Sequence, residues 1–304
     1  MSSSYSIGVA SRCGKADVSD FTIFIDELEG LGLDMIELPL CELDLLVGGR
    51  MVRERVARLK AAMAGRNFRW SGHGAIGLNF LDDAARLPMH RATARAYVEL
   101  AAEIGAERLV IHSGQYGRLG EAEITRRYAR QREELLALGD FAASHDVLVC
   151  VENVFGHEGG PGTALPEELA RELSAIPHPA LTGTLDFSHG YIHSTARGAD
   201  FVAGALAMMP LSRHLHIHDS FGVPKTIWTY NPAEDSAMGM GDLHLPPGWG
   251  TLPFDRLMRD GTLPADAVFM IELNPRCWDA LEETVTATRQ LMEKAAAGRI
   301  PVTA

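Results

Sequence analysis

Residues 147–153 read VLVCVEN, residues 166–176 read PEELARELSAI and residues 181–187 read LTGTLDF. The outer two are apolar runs of strand length, and the segment between them has helical period. Strand, helix and strand at this spacing form a unit whose two strands lie parallel. The alternation continues outward in both directions. Toward the N-terminus come SIGVA (6–10), MIELPL (35–40), RWSGHG (69–74) and RLVIHS (108–113), and toward the C-terminus HLHIHD (214–219) and VFMIELN (268–274). The helical segments between and after them are FTIFIDELEGLG, MVRERVARLKAAMAG, HRATARAYVELAAEIG, a long one from Glu121 to Ser144, ADFVAGALAMM, PFDRLMRD and a final CWDALEETVTATRQLMEKAAAG.

Eight strands with interleaved helices and no Pro/Gly/Ser-rich linker predict an α/β fold, a single (β/α)8 TIM barrel over residues 1–304. An open doubly wound sheet is the rival. A dinucleotide loop G-x-G-x-x-G after the first strand would favour it, and VASRCGKAD at that place lacks one. The segment from Phe221 to Gly241 breaks the pattern and reads as an extended loop after strand 7, its Trp228 and Tyr230 available to cover a ligand.

Composition narrows the class of function. Of 304 residues, 46% are hydrophobic and 22% charged, an ordinary globular balance. The net charge of -12 opposes loose attraction to phosphate backbones, so nucleic acid is not an expected partner. No apolar run approaches the ~20 residues of a membrane span. The opening MSSSYSIG has neither the basic start nor the apolar stretch of a signal peptide, which predicts a cytoplasmic protein. Cysteines at 13, 41, 150 and 277 show no C-x-x-C spacing and are expected to be small buried hydrophobes.

In a barrel of this kind the chemistry sits at the C-terminal ends of the strands. Those ends carry Glu37, His73, His112, Glu152, Asp186, His216 with His218 and Asp219, and Glu272. Ionisable groups gathered there must pair or bind a metal. Glu152, Asp186 and Glu272 with His216 offer the mixed oxygen and nitrogen donors that suit Mn, Co, Zn or Mg. His73, His112, His189, Asp242 and His244 are further candidate ligands for a second or third ion, and His189 could instead hold a substrate hydroxyl. Glu37 is expected to be a hydrogen-bond partner near the site. His214 begins its strand, at the wrong end for chemistry, and His90, His145, His157, His178 and His193 are expected to be solvated or capping residues.

VCVEN ending in Glu152, LDFSH with Asp186 and His189, HLHIHD with His216, GDLHLPPGWGTLPF and IELN with Glu272 together resemble the xylose-isomerase-like barrel superfamily, over nearly the whole chain. That superfamily includes sugar phosphate isomerases and epimerases and the endonuclease IV type of apurinic endonuclease. The resemblance implies that Glu152, Asp186, His216 and Glu272 hold a divalent metal, with Glu152 and Glu272 also the acid/base pair of an epimerase or isomerase. Such an enzyme takes the proton beside a carbonyl and passes through an ene-diolate. His189 and His218 would orient the substrate, a small sugar or related polyol, although several epimerases carry a sugar-binding arginine where this chain has His218. Trp228, Trp249 and Phe155 are candidates for an apolar wall against the sugar.

Three rivals stay open. The nine residue types of a three-zinc endonuclease IV-like site acting at abasic DNA can be laid on His73, His112, Glu152, Asp186, His189, His216, Asp242, His244 and Glu272. Against that, the loops AIGLNFLDDAARLP and VFGHEGGPGTALP lack the basic residues a duplex requires. A metal-dependent lyase or dehydratase would begin with the same proton abstraction, and a non-catalytic binding subunit could retain the ligands. A homo-oligomer is compatible with the sequence.

Overall fold

The computed structural model describes residues 5–156 and 162–298. The strands are β1 (Ser6–Ala10), β2 (Met35–Leu38), β3 (Leu46–Val47), β4 (Arg50–Met51), β5 (Arg69–His73), β6 (Arg108–His112), β7 (Leu148–Glu152), β8 (Leu181–Asp186), β9 (Ser212–Ile217) and β10 (Val268–Ile271). Eight of them close into a parallel barrel in the order β1, β2, β5, β6, β7, β8, β9, β10, with β10 returning to β1. The (β/α)8 barrel is thus the fold, and its eight strands are those expected. β3 and β4 form a small antiparallel hairpin that the apolar pattern does not announce.

The helices are α1 (Phe21–Asp26), α2 (Arg53–Met63), α3 (Leu87–Ile104), α4 (Glu121–Ala143), α5 (Pro166–Ser174), α6 (Phe187–Arg197), α7 (Phe201–Met208), α8 (Pro232–Met238), α9 (Phe254–Asp260) and α10 (Leu281–Gly298). None is long and apolar enough to cross a membrane. Two of them, α6 and α8, are not among the helices expected from the sequence. The α6 stretch FSHGYIHSTAR mixes glycine, β-branched and hydroxyl residues and shows no apolar periodicity, so propensity does not reveal it. Its ends do: the Asp186 carboxylate accepts from the His189 backbone N–H at 2.7 Å, and Gly198 closes the helix with φ of 63°.

Each barrel strand reads as an apolar run because alternate residues serve two interiors. Ile36, Leu38, Val149, Val151, Leu185, Leu215, Ile217, Phe269 and Ile271 join the large core between barrel and helices. Met35, Val268 and Met270 form a separate small cluster. On β2, β9 and β10, the residues alternating with that large core are Glu37, His214, His216 and the cluster members Met35, Val268 and Met270, so the barrel lumen is apolar in part and polar toward its C-terminal end. Arg108 is buried and donates to the backbone carbonyls of Arg213 and Asp266, tying β6 to the start of β9 and to the turn before β10.

The lumen has little spare room. A Cβ placed on Gly8 would lie 2.8 Å from the Met35 carbonyl oxygen and 2.5 Å from Met270 Cε. The methionine end can swing away, but the backbone oxygen cannot. Gly8→Ala is therefore expected to cost about 1–3 kcal/mol by overpacking, read as a lowered denaturation midpoint with an unchanged m-value.

Candidate metal centre and active-site cavity

The polar strand ends meet as the barrel predicts. His73, His112, Glu152 and Asp186 close β5, β6, β7 and β8, His216 lies one residue before the end of β9, and Glu272 follows β10. His216 is the hub. Its Nδ1 stands 3.2 Å from Glu152 Oε1, 3.4 Å from Glu272 Oε2 and 3.8 Å from Asp186 Oδ2. Donors held ~2.1 Å from a shared tetrahedral cation would be roughly 3.4 Å apart, a spacing close to those measured from His216 Nδ1.

Further groups adjoin it. His73 Nε2 and His112 Nε2 lie 3.2 and 3.5 Å from Glu152 Oε2, making one three-residue cluster. His189 Nε2 and His244 Nε2 lie 3.1 and 2.7 Å from Asp242 Oδ2, making another. Asp186, as N-cap of α6, sets His189 on the first helical turn, where its Nδ1 is 3.1 Å from Glu152 Oε1. The structure therefore brings together all nine candidate ligands.

Behind His216 the lumen supplies its support. The Nε2 of His216 donates to Glu37 Oε1 at 3.2 Å, which leaves Nδ1 to face the three carboxylates. Ser71 donates to Glu37 Oε2 at 3.2 Å, and His214 Nε2 stands 3.0 Å from the same oxygen. His214 thus contributes to the centre through Glu37, although it sits two residues deeper in the strand.

Charge balance follows from burial. Desolvation alone would raise the Glu152 carboxyl, but the neighbouring His216 and His112 charges, with hydrogen bonds from His189 and His216, hold it well below the usual carboxylate range. Asp186 is held low against the same desolvation by His189 and His218, and Asp242 by His244 and His189. Burial would strip the proton from His244, yet Asp242 beside it raises the imidazole to about 9. His112 goes the other way: burial, and the like charges of His73 and His189, lower it to about 4 despite Glu152.

A cavity of about 470 Å³ opens on this cluster. Glu152, Glu272, His73, His112, His189, Asp242 and His244 line one part of it, while Ser11, Arg12, Cys13, Phe24, Cys41, Glu42 and Ile76 are among the residues lining the rest. The expected substrate contacts at 155, 218, 228 and 249 are not among the residues lining this cavity. His218 is fully buried, with Nε2 2.9 Å from Asp186 Oδ2 and its ring stacked 3.9 Å from that of His244, so it braces the acidic cluster and does not line the cavity. Trp228 is 73% exposed and packs on Tyr230, also exposed, 4.2 Å between centroids. Trp249 is half exposed and donates to Glu283 Oε1 at 3.2 Å. Phe155 sets its ring 5.0 Å from that of His189 and is not a lining residue. The apolar surface comes instead from Phe24, Pro39, Ile76, Leu273 and Pro275.

Other expectations need revision. Cys13 and Cys41 are half-buried cavity residues, and only Cys150 is a buried small hydrophobe of the expected kind among the four thiols. His90 is buried between Asp82 and the Asn79 N–H, and His193 between Thr163 O and the Gly156 N–H, so both hold loops together. His157 lies outside the described residues.

The chain belongs to the xylose isomerase-like TIM barrel family, whose model matches residues 25–294. No curated protein matches the sequence. Among solved structures it is similar to a D-tagatose 3-epimerase-like protein, at 18% identity, TM-score 0.68, and 96% and 98% coverage of this chain and that one. It is also similar to the TTHB071 protein of Thermus thermophilus, soaked with zinc chloride, at 20% identity, TM-score 0.62, and 93% and 98% coverage. The IolI protein with a bound zinc atom matches at 14% identity, TM-score 0.68, and 98% and 100% coverage. At these identities the likeness is one of fold.

The loop carrying Asp242 and His244 is fixed by one buried carboxylate. Asp219 accepts from the N–H groups of Ser220, Gly248, Gly250 and Leu252 at 2.8 to 3.1 Å, and its backbone pairs with Leu245. Glycine at 250 permits this approach, since a Cβ there would collide with Asp219 Oδ1 and with the Ser220 carbonyl oxygen. Asp219→Ala leaves those donors unpaired and is expected to cost about 3 kcal/mol, measured by chemical denaturation; a loss below ~0.5 kcal/mol would show that the loop is held otherwise.

Proposed function

We propose that this chain is a divalent-metal-dependent isomerase or epimerase acting on a small sugar or related polyhydroxylated carbonyl compound in cytoplasmic carbohydrate metabolism. The observation that carries the reading is the meeting of Glu152, Asp186 and Glu272 at Nδ1 of His216, at the edge of a cavity that both glutamates line. Glu152, Asp186, His216 and Glu272 would hold Mn, Co, Zn or Mg. Such an ion, when bound, supplies a Lewis acid for the carbonyl and the adjacent hydroxyl, lowering the cost of an ene-diolate.

The chain's own residues move the proton. Glu152, kept ionised by the imidazoles around it, is ready to accept the proton beside the carbonyl. Glu272 reaches the same place from β10, with β8 and β9 between it and β7, so the two carboxylates approach from different sides. Return of that proton to the neighbouring, former carbonyl carbon gives the isomer, and protonation of the original carbon from the opposite face gives the epimer. His189 lines the cavity and orients a substrate oxygen, while His218 acts one step removed, on Asp186.

A second reading is favoured by one observation. The His73–His112–Glu152 and His189–Asp242–His244 groups could hold two more ions, as a three-zinc phosphodiesterase would require. The cavity argues against it: among the described residues its only Lys or Arg lining group is Arg12, whose guanidinium binds both oxygens of Glu27 at 2.6 and 2.5 Å. A polyanionic backbone needs several free cations. Metal analysis separates the readings, with one ion per chain expected for the isomerase and three tightly held zincs for the nuclease.

Glu152→Gln and Glu272→Gln are each expected to slow incorporation of solvent deuterium beside the carbonyl of a turned-over ketose by at least ~10³-fold. Near-normal exchange in either variant would remove that residue from the mechanism.

A further inference from the structure

The cavity has a second wall, which the proton chemistry leaves unused. It is built where the chain leaves β1 and β2 and includes Ser11, Cys13, Cys41 and Glu42. Ser11 is only 6% exposed, and its hydroxyl has no hydrogen-bond partner in the protein. The residue is nonetheless well placed, because its N–H donates to the Glu37 carbonyl at 2.9 Å. A buried hydroxyl without a partner that faces a cavity is a site kept for a ligand's polar group.

The neighbouring groups define what that polar group is. The Cys13 thiol donates to Glu42 Oε2 at 2.9 Å, and burial with the adjacent carboxylate pushes it up to about 12, so it stays protonated. Glu42 stands at the exposed rim, and no Lys, Arg or His pairs with it among the described residues. Arg12, beside them, is occupied by Glu27 and sandwiched by aromatic rings, 4.6 Å above Trp278 and 5.6 Å from Phe24. Five carboxylates, Glu37, Glu42, Glu152, Asp242 and Glu272, therefore line the cavity against one guanidinium already spent. Of the histidines lining the cavity, His73 adjoins this wall, its carbonyl accepting from the Cys41 N–H at 3.0 Å, but its Nε2 is engaged by Glu152 at 3.2 Å.

We propose that Ser11, Cys13 and Glu42 form a subsite for the hydroxyl end of an uncharged polyol, and that this end of the substrate carries no phosphate. A hydroxyl can donate to the Glu42 carboxylate and exchange a hydrogen bond with Ser11, whereas a phosphate dianion would meet a carboxylate and no free cation. The orientation, with the carbonyl toward His216, rests on the isomerase reading; the charge preference of the wall does not.

Calorimetric titration of the full-length chain with D-fructose and with D-fructose 6-phosphate tests this. D-Fructose is expected to bind at least about tenfold more tightly than its phosphate. Glu42→Gln should bring the two affinities within about threefold, and Glu42→Lys should invert the preference. Ser11→Ala should weaken D-fructose about fivefold with the melting temperature unchanged. Equal or tighter binding of the phosphate by the wild type overturns the proposal, as does a preference that neither Glu42 variant moves, or failure of both ligands to bind. Solvent-deuterium exchange keeps the two readings apart. Discrimination without exchange sustains the subsite and counts against the isomerase, whereas exchange without discrimination does the reverse.

Discussion

One imidazole organises this protein. His216 presents Nδ1 to Glu152, Asp186 and Glu272 and Nε2 to Glu37, so four carboxylates surround a single ring toward the C-terminal end of the barrel. Anions removed from water are costly unless they are paired and hydrogen-bonded. The lumen meets that demand by alternating acids with imidazoles: His73, His112, His189, His214 and His218 each lie within 3.5 Å of a carboxylate oxygen of the cluster. The cluster is thus dense in donors of both kinds, and a divalent ion is the ligand that such a set suits.

The rest of the fold serves this arrangement. Strand alternation sends aliphatic residues outward to the helices and leaves the inner positions free for Glu37, His214 and His216. Two devices then bring in candidate ligands that the strands do not carry. Asp186 caps α6 and so fixes His189, and Asp219 gathers the backbone of residues 248–252 so that Asp242 and His244 return to the rim. The cavity inherits its character from two sets of residues, the acids and imidazoles of the cluster, and Ser11 and Cys13 with the Glu42 carboxylate beside them.

The barrel and the cluster are legible in the sequence because both rest on short-range pattern. Apolar runs of five or six residues mark the strands, and an ionisable residue at a strand end is conspicuous against them. The family resemblance reinforces what those ends already suggest. What escapes depends on contacts between distant segments. Helix α6 is specified by its cap and its packing, not by its propensity. His214 looks remote because its role passes through Glu37, which comes from another strand. His218 reads as a substrate contact, but it is fully buried with its ring stacked on that of His244. Trp228 and Trp249 are exposed aromatic residues that are not among those lining the cavity, a placement that spacing does not encode. Ser11, Cys13 and Glu42 escape because the first two strand loops contain nothing that stands out until the third dimension sets them in the same cavity as Glu272.

The central claim is that Glu152, Asp186, His216 and Glu272 share one cation. The most direct test is a crystal grown with manganese or zinc and measured across the metal's absorption edge. The account predicts an anomalous peak within about 2.0–2.3 Å of one donor atom from each of the four residues. A peak held by other residues, or four side chains turned toward separate partners in the presence of saturating metal, would contradict it.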